Sequence, residues 1–192
     1  MVITLSAFAL CLSIASAGIL ELPYDLILRW DFESDESIAF TFTVPKAITD
    51  EFGWVGVGFK YREDGDSMDK SDLVNIILGE PVADSYARES GPPDPDVFLG
   101  GTEDIAPTFN ITEGEDRTNY SWVRATNTGD EWDKVFVSNG EYYAMWAFGE
   151  MDRYGNQVQH FTGNRGKVAF ILTDYREYGQ EGSTLSFLSL DD

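Results

Sequence analysis

Met68 stands in the run "YREDGDSMDKSD", residues 61 to 72, with Gly65, Asp66, Ser67 and Asp69 around it. Methionine ordinarily fills gaps in apolar cores, so a thioether flanked by glycine, serine and acids has no evident packing role, and its polarisable sulfur calls for another use. His160 is the single histidine of the chain. The carboxylates of Asp64, Asp66, Asp69 and Asp72 suggest calcium, but their spacing lacks the alternate-position ligands, central glycine and closing glutamate of an EF-hand loop. They read chiefly as solvated turn residues, with a structural calcium as the lesser reading.

Other chemistries find little support. The only cysteine is Cys11 and there is one histidine, which excludes a histidine-rich metal site and a Cys–His nucleophile. A Ser–His–Asp triad would have to use His160, and no G-x-S-x-G elbow accompanies it. With 34 acids in the chain some carboxylates pair by chance, so a glycosidase is a weak reading. Trp54, Trp122, Trp132 and Trp146 with Tyr61, Tyr86, Tyr142 and Tyr143 offer a sugar-stacking platform, or else the core and edges of a sheet protein.

The elements that must position these residues begin with a leader. Residues 2 to 14 form an apolar run too short to cross a bilayer, followed by the small-x-small triplet Ala15-Ser16-Ala17. This predicts a signal peptide over 1–17, cleaved after Ala17, and a mature domain over 18–192. Cys11 lies inside that leader, so the mature chain would have no disulfide, thiolate zinc site or iron–sulfur cluster. About 175 residues still suffice for one self-sufficient core. The sequons at Asn110 and Asn119 fit a eukaryotic secretory route with glycans at both. A formal charge of −21 argues against nucleic acid and anionic membranes, and its spread along the chain suits a solubilising surface or steering toward a basic partner.

Hydrophobic periodicity is two. "IAFTFTV" sets Ile38, Phe40, Phe42 and Val44 on one face and Ala39, Thr41 and Thr43 on the other. Further strands are expected in "GWVGVGF" (53–59), "LVNIILG" (73–79), "NYSWVRAT" (119–126), "EYYAMWAFG" (141–149), "KVAFILT" (167–173) and "TLSFLSL" (184–190). The separators, such as "REDGD", "GPPDP" and "TGNRG", are rich in turn formers. Only "PKAITDEF" (45–52) looks helical. The pattern predicts an all-β, antiparallel sandwich, with "GPPDPD" as a rigid connection inside the single domain.

"GWVGVGF", "DSMDKSDLV", "VADSYA", "WVRATNTGDEWD", "YYAMWAFG" and "HFTGNRG" follow one another in the order and approximate spacing of DOMON domains, which the chain resembles over nearly all of its mature length. The resemblance implies an immunoglobulin-like β-sandwich, secreted or extracytoplasmic, that binds haem or sugars. In the haem-binding branch, which includes the cytochrome domain of cellobiose dehydrogenase, a methionine and a histidine hold the iron axially. The positions that match are Met68 and His160. The resemblance also offers Arg165 and Tyr86 as partners of the haem propionates. It thus implies a non-catalytic b-type haem electron-transfer domain, six-coordinate, serving a redox partner protein, and the acidic charge of the chain suits a partner with a basic face. The alternatives are a haem-free module for sugars or small ligands and an assembly subunit of a larger extracellular complex. The chain departs from the family in lacking disulfide cysteines, a flavin domain and a transmembrane partner, which leaves electron donor and acceptor unassigned.

Overall fold

The computed structural model of the chain describes residues 17–89 and 91–177. Residues 1–16 of the expected leader, Cys11 among them, and the run at 184–190 lie outside the described residues.

The chain runs β1 (Gly18–Leu22), β2 (Leu26–Phe32), β3 (Ser37–Pro45), a short helix α1 (Lys46–Glu51), β4 (Trp54–Tyr61), β5 (Ser71–Ile77), β6 (Ala83–Ala87) and β7 (Asp94–Pro95). A one-turn helix α2 (Asp96–Leu99) follows, then β8 (Asn110–Glu113), β9 (Arg117–Ala125), β10 (Gly140–Gly149) and β11 (Arg165–Leu172). Two sheets result. One has five strands in the order β1-β2-β3-β9-β8, the other six in the order β11-β10-β4-β5-β6-β7. Every pairing is antiparallel. The protein is an all-β sandwich.

Strand parity builds the core. In β3 the inward set Ile38, Phe40, Phe42 and Val44 is buried, and in β4 the inward set is Val55, Val57 and Phe59. Phe40 of the five-stranded sheet meets Phe59 of the six-stranded sheet with ring centroids 4.8 Å apart, and Trp122 and Phe136 close around Phe40 at 5.5 and 5.1 Å. Burying each such aromatic contributes about 1.5–3 kcal/mol.

The register of the six-stranded sheet decides what its outer face offers. Crossing it, Arg165 of β11 opposes Ala147 of β10, Ala147 opposes Gly56 of β4, and Gly56 opposes Asn75 of β5. The neighbouring row runs Lys167, Met145, Gly58, Leu73. A Cβ on Gly58 would fall 2.3 Å from Leu73 Cδ2, so Leu73 lies over that glycine. At Gly56 a Cβ would meet nothing nearer than the Val74 carbonyl at 3.6 Å. The first row is therefore a trough, with small residues in its middle and polar side chains at its ends.

Candidate functional site

Two connections fold over this trough from opposite ends of β4. The first, residues 62–70, follows Tyr61 and leads into β5. The second, residues 150–164, follows Gly149, which pairs with Trp54 at the other end of β4, and leads into β11. Together with Gly91, Pro92 and Pro93 they enclose a cavity of about 930 Å³, within the range of small-molecule and cofactor pockets. The trough residues Gly56, Asn75, Ala147 and Arg165 line it. Met68 from the first connection and His160 from the second line it as well.

Lys60 explains how a polar loop holds Met68 half-buried. This lysine belongs to β4 and points to the outer face, yet its exposure is 0%, because the loop covers it. Its ammonium donates to the carbonyls of Ser67 (2.9 Å) and Asp69 (2.6 Å), the residues on either side of Met68. It also faces the Asp69 carboxylate at 3.6 Å. Lys167 of β11 donates to the Asp66 carbonyl at 2.6 Å and pairs with its carboxylate at 2.5 Å. The loop is thus fastened by lysines from two strands. Gly65, with φ +85°, allows the turn that brings the chain back. The Lys167 hydrogen bond holds the Asp66 carboxyl below its ordinary range, and the Ser67 hydroxyl, with Lys60 adding its charge, does the same for Asp69.

The His160 segment is fixed by neutral groups. Trp54 Nε1 donates to the Val158 carbonyl at 3.1 Å, and its ring lies 6.1 Å from the imidazole. The amides of Asn75 and Gln157 bond reciprocally at 3.0 and 2.7 Å, tying the segment across to β5. Tyr24 donates its hydroxyl to the Gly163 carbonyl at 2.8 Å. His160 is half-buried, and its Nδ1 is buried without a hydrogen-bond partner. Burial first, and the positive charge of Arg165 second, lower its pKa. Both effects favour the neutral imidazole, the form in which a histidine ligates a metal.

A second methionine, Met145, is in the lining. Its sulfur accepts from the buried Ser71 hydroxyl at 3.1 Å, which commits it to the wall. No model of a known protein family matches the chain, and a comparison with curated proteins finds no match.

The lining joins one thioether and one imidazole, has an indole wall and a glycine floor, and includes the cations Arg165 and Lys167, the latter paired with Asp66; such a donor set could hold a metal-centred cofactor. The partnerless Nδ1 adds to the fit, since a ring nitrogen withdrawn from water is satisfied by a metal bond.

The fold does not bring Tyr86 here. Tyr86 opposes Asp72 in the register of β6 against β5, on the inner face of the sheet. Its ring packs on Trp132 at 5.3 Å with the Lys134 ammonium 5.1 Å above it. The parity of a five-residue strand puts it on the wrong side of the sheet. The four acids of the Met68 loop do not converge either. Asp64 pairs with Lys70, Asp66 with Lys167 and Asp69 with Lys60, while Asp72 enters the interior. Asn110 and Asn119 occupy the outer face of the five-stranded sheet, on the far side of the sandwich from the cavity; Asn110 is exposed, and Asn119 is half-buried and accepts from Thr43 Oγ1 at 2.7 Å. Lys60, Asn75, Gln157 and Lys167 carry no such sequence signal, apart from a lysine breaking an otherwise apolar strand. Among the described residues no helix is long and apolar enough to cross a membrane.

Proposed function

We propose that this chain is a haem b electron-transfer domain of the DOMON type, with Met68 and His160 as the axial ligands. The observation that carries the reading is that these two residues, far apart in sequence and brought in from opposite ends of β4, line one cavity. Bound there, haem supplies a one-electron couple, and a thioether opposite an imidazole favours the reduced state relative to harder donors.

The chain's own residues do the rest. Lys60 holds the carbonyls flanking Met68 and so sets where the sulfur points. Burial and Arg165 favour the neutral form of His160. Arg165 and Lys167 offer cations to the propionates, and Gly56 leaves the floor low enough for a flat ligand. Were Met68 and His160 both to hold the iron, no position on it would be left for substrate, and substrate chemistry would belong to a partner. The acidic surface suits a partner with a basic face, and their association would slow as salt rises, because exposed charges are screened beyond about 8 Å at physiological ionic strength. Secretion, with glycans at Asn110 and Asn119 on the far sheet, would leave the cavity mouth free.

The test compares two methionines of the same cavity. In haem-loaded protein, Met68→Leu is expected to abolish the six-coordinate spectrum and lower the reduction potential, whereas Met145→Leu leaves both in place. His160→Ala is expected to release haem. Retention of the six-coordinate spectrum in Met68→Leu would contradict the ligand assignment, and failure of the wild-type chain to take up haem would leave the cavity to a haem-free ligand.

A further inference from the structure

On the inner side of the same sheet lies a cluster that the haem reading does not use. Asp72 of β5 and Asp84 of β6 face inward, and Asp96 at the start of α2 and Asp133 from the segment after β9 join them. Their exposures are 1, 1, 1 and 8%. Arg124 of β9, 4% exposed, is the one guanidinium among them: it donates to Asp72 Oδ2 at 2.9 Å and lies 3.1 Å from Asp133 Oδ1. Lys134 feels the Asp72 charge but makes no ion pair with the cluster, since its ammonium sits over the rings of Tyr61 and Tyr86 at 5.2 and 5.1 Å. The four buried carboxylates therefore have one cation in direct contact.

Carboxylates withdrawn from water need a proton, a paired cation or a metal. Three features favour the metal. One oxygen from each of Asp72, Asp84 and Asp133 lies within 4.8 Å of the others, and two ligands each about 2.4 Å from a shared calcium are at most about 4.8 Å apart. Asp72 Oδ1 and Asp84 Oδ1, in side chains 99% withdrawn from solvent, have no hydrogen-bond partner, and neither has Asp96 Oδ1. The remaining oxygens are held in place: Asp72 Oδ2 accepts from Lys134 N at 2.8 Å, Asp133 Oδ2 from Thr128 Oγ1 at 2.5 Å, and Asp84 Oδ2 from Asp104 N at 3.4 Å. The backbone around the cluster is also fastened, since Glu103 Oε2 accepts from Asp84 N at 3.1 Å and Asp130 Oδ2 from Thr102 N at 2.6 Å.

We infer that Asp72, Asp84 and Asp133 bind a divalent cation inside the sandwich, and that the cation is calcium. A buried set of carboxylate oxygens from three separate segments suits calcium, whose coordination geometry is flexible, whereas magnesium keeps several waters and demands a near-ideal octahedron. The site is separate from the cavity, being on the opposite face of β5 and β6, and it fastens the 94–106 and 126–134 segments to the six-stranded sheet.

The experiment uses the full chain, stripped with a chelator and titrated with calcium chloride, with melting temperature and bound ion per chain as readouts and terbium luminescence sensitised by Trp132 as a probe of position. The expected result is one calcium per chain, a melting temperature that climbs with the logarithm of calcium concentration, and a terbium signal displaced by calcium. Asp84→Asn should weaken calcium binding at least tenfold, whereas Asp130→Asn should change it little. If the stripped chain melts at the same temperature with and without millimolar calcium, the site is refuted and the acids share protons. Calcium binding that survives Asp84→Asn but is lost in Asp130→Asn would place the ion on Asp104, Asp130 and Asp133 instead and overturn the assignment. Should Asp84→Asn fail to fold, the wild-type titration decides whether an ion binds, and retention of binding in Asp130→Asn decides that it is not held by Asp104, Asp130 and Asp133. Neither readout depends on haem.

Discussion

Asp69 and Asp72 belong to one short acidic run, yet the fold gives them opposite fates. Asp69 stays on the loop, takes the hydrogen of the Ser67 hydroxyl and faces Lys60. Asp72, three residues on, has entered β5 with its side chain inward, is 1% exposed and shares Arg124 with Asp133. In the loop each acid has its own lysine: Asp64 has Lys70, Asp66 has Lys167 and Asp69 has Lys60. In the interior four buried acids have one arginine among them, and it pairs with only two, Asp72 and Asp133. The loop pairs keep their carboxylates at the surface while they fasten the segment around Met68, whereas the inner cluster carries a desolvation cost that something must offset.

The comparison breaks first at Arg124. Arg124→Met removes the cation that two buried carboxylates share, and in the presence of a chelator it is expected to cost about 3–5 kcal/mol in urea unfolding. A loss below about 1 kcal/mol would mean that the acids are neutralised without it. Lys60→Met keeps the chain length but frees the Ser67 and Asp69 carbonyls to find water, so a loss of about 2 kcal/mol is expected. The same variant should loosen Met68 and mix five-coordinate character into the haem spectrum, and an unaltered spectrum would remove Lys60 from the positioning role. Gly56→Val should change stability by less than about 1 kcal/mol, because a branched residue suits a strand and a Cβ there has only ordinary contacts. It should nonetheless raise the trough floor and abolish haem retention; full haem loading in this variant would show that the ligand does not use that floor. The smallest effect is expected at the exposed Arg62–Glu141 pair, 3.0 Å apart on the rim: Arg62→Ala should cost under about 1 kcal/mol and nothing measurable at high salt.

Much of the sandwich was legible because parity and composition agree. β3, β4, β9 and β10 alternate apolar and small or polar residues as half-buried strands do, and the expected helix at 45–52 is α1. β6 was not legible, because its inward positions are Asp84 and Tyr86, and an acid in a core cancels the period that marks a strand. β8 is exposed at every position and carries no period at all. In β2 the outward Ile27 turns the alternation of Leu26, Leu28, Trp30 and Phe32 into an apolar run. At the site, Met68 stood out as a thioether without a packing role, whereas His160 and Arg165 were singled out through the family resemblance, and the fold brings all three to the lining of one cavity. Lys60 did not stand out, since a lysine in a strand reads as solvated and its burial depends on a loop that closes over it. Tyr86 rested on the family resemblance alone, and strand parity sends it to the other face.

The most direct test of the haem reading is the visible absorption spectrum of the protein from its native source, oxidised and then reduced. The expected result is a Soret band that shifts on reduction, with the narrow α and β bands of a six-coordinate low-spin b-type haem, all lost in His160→Ala. Native protein with no Soret band in either state would contradict it.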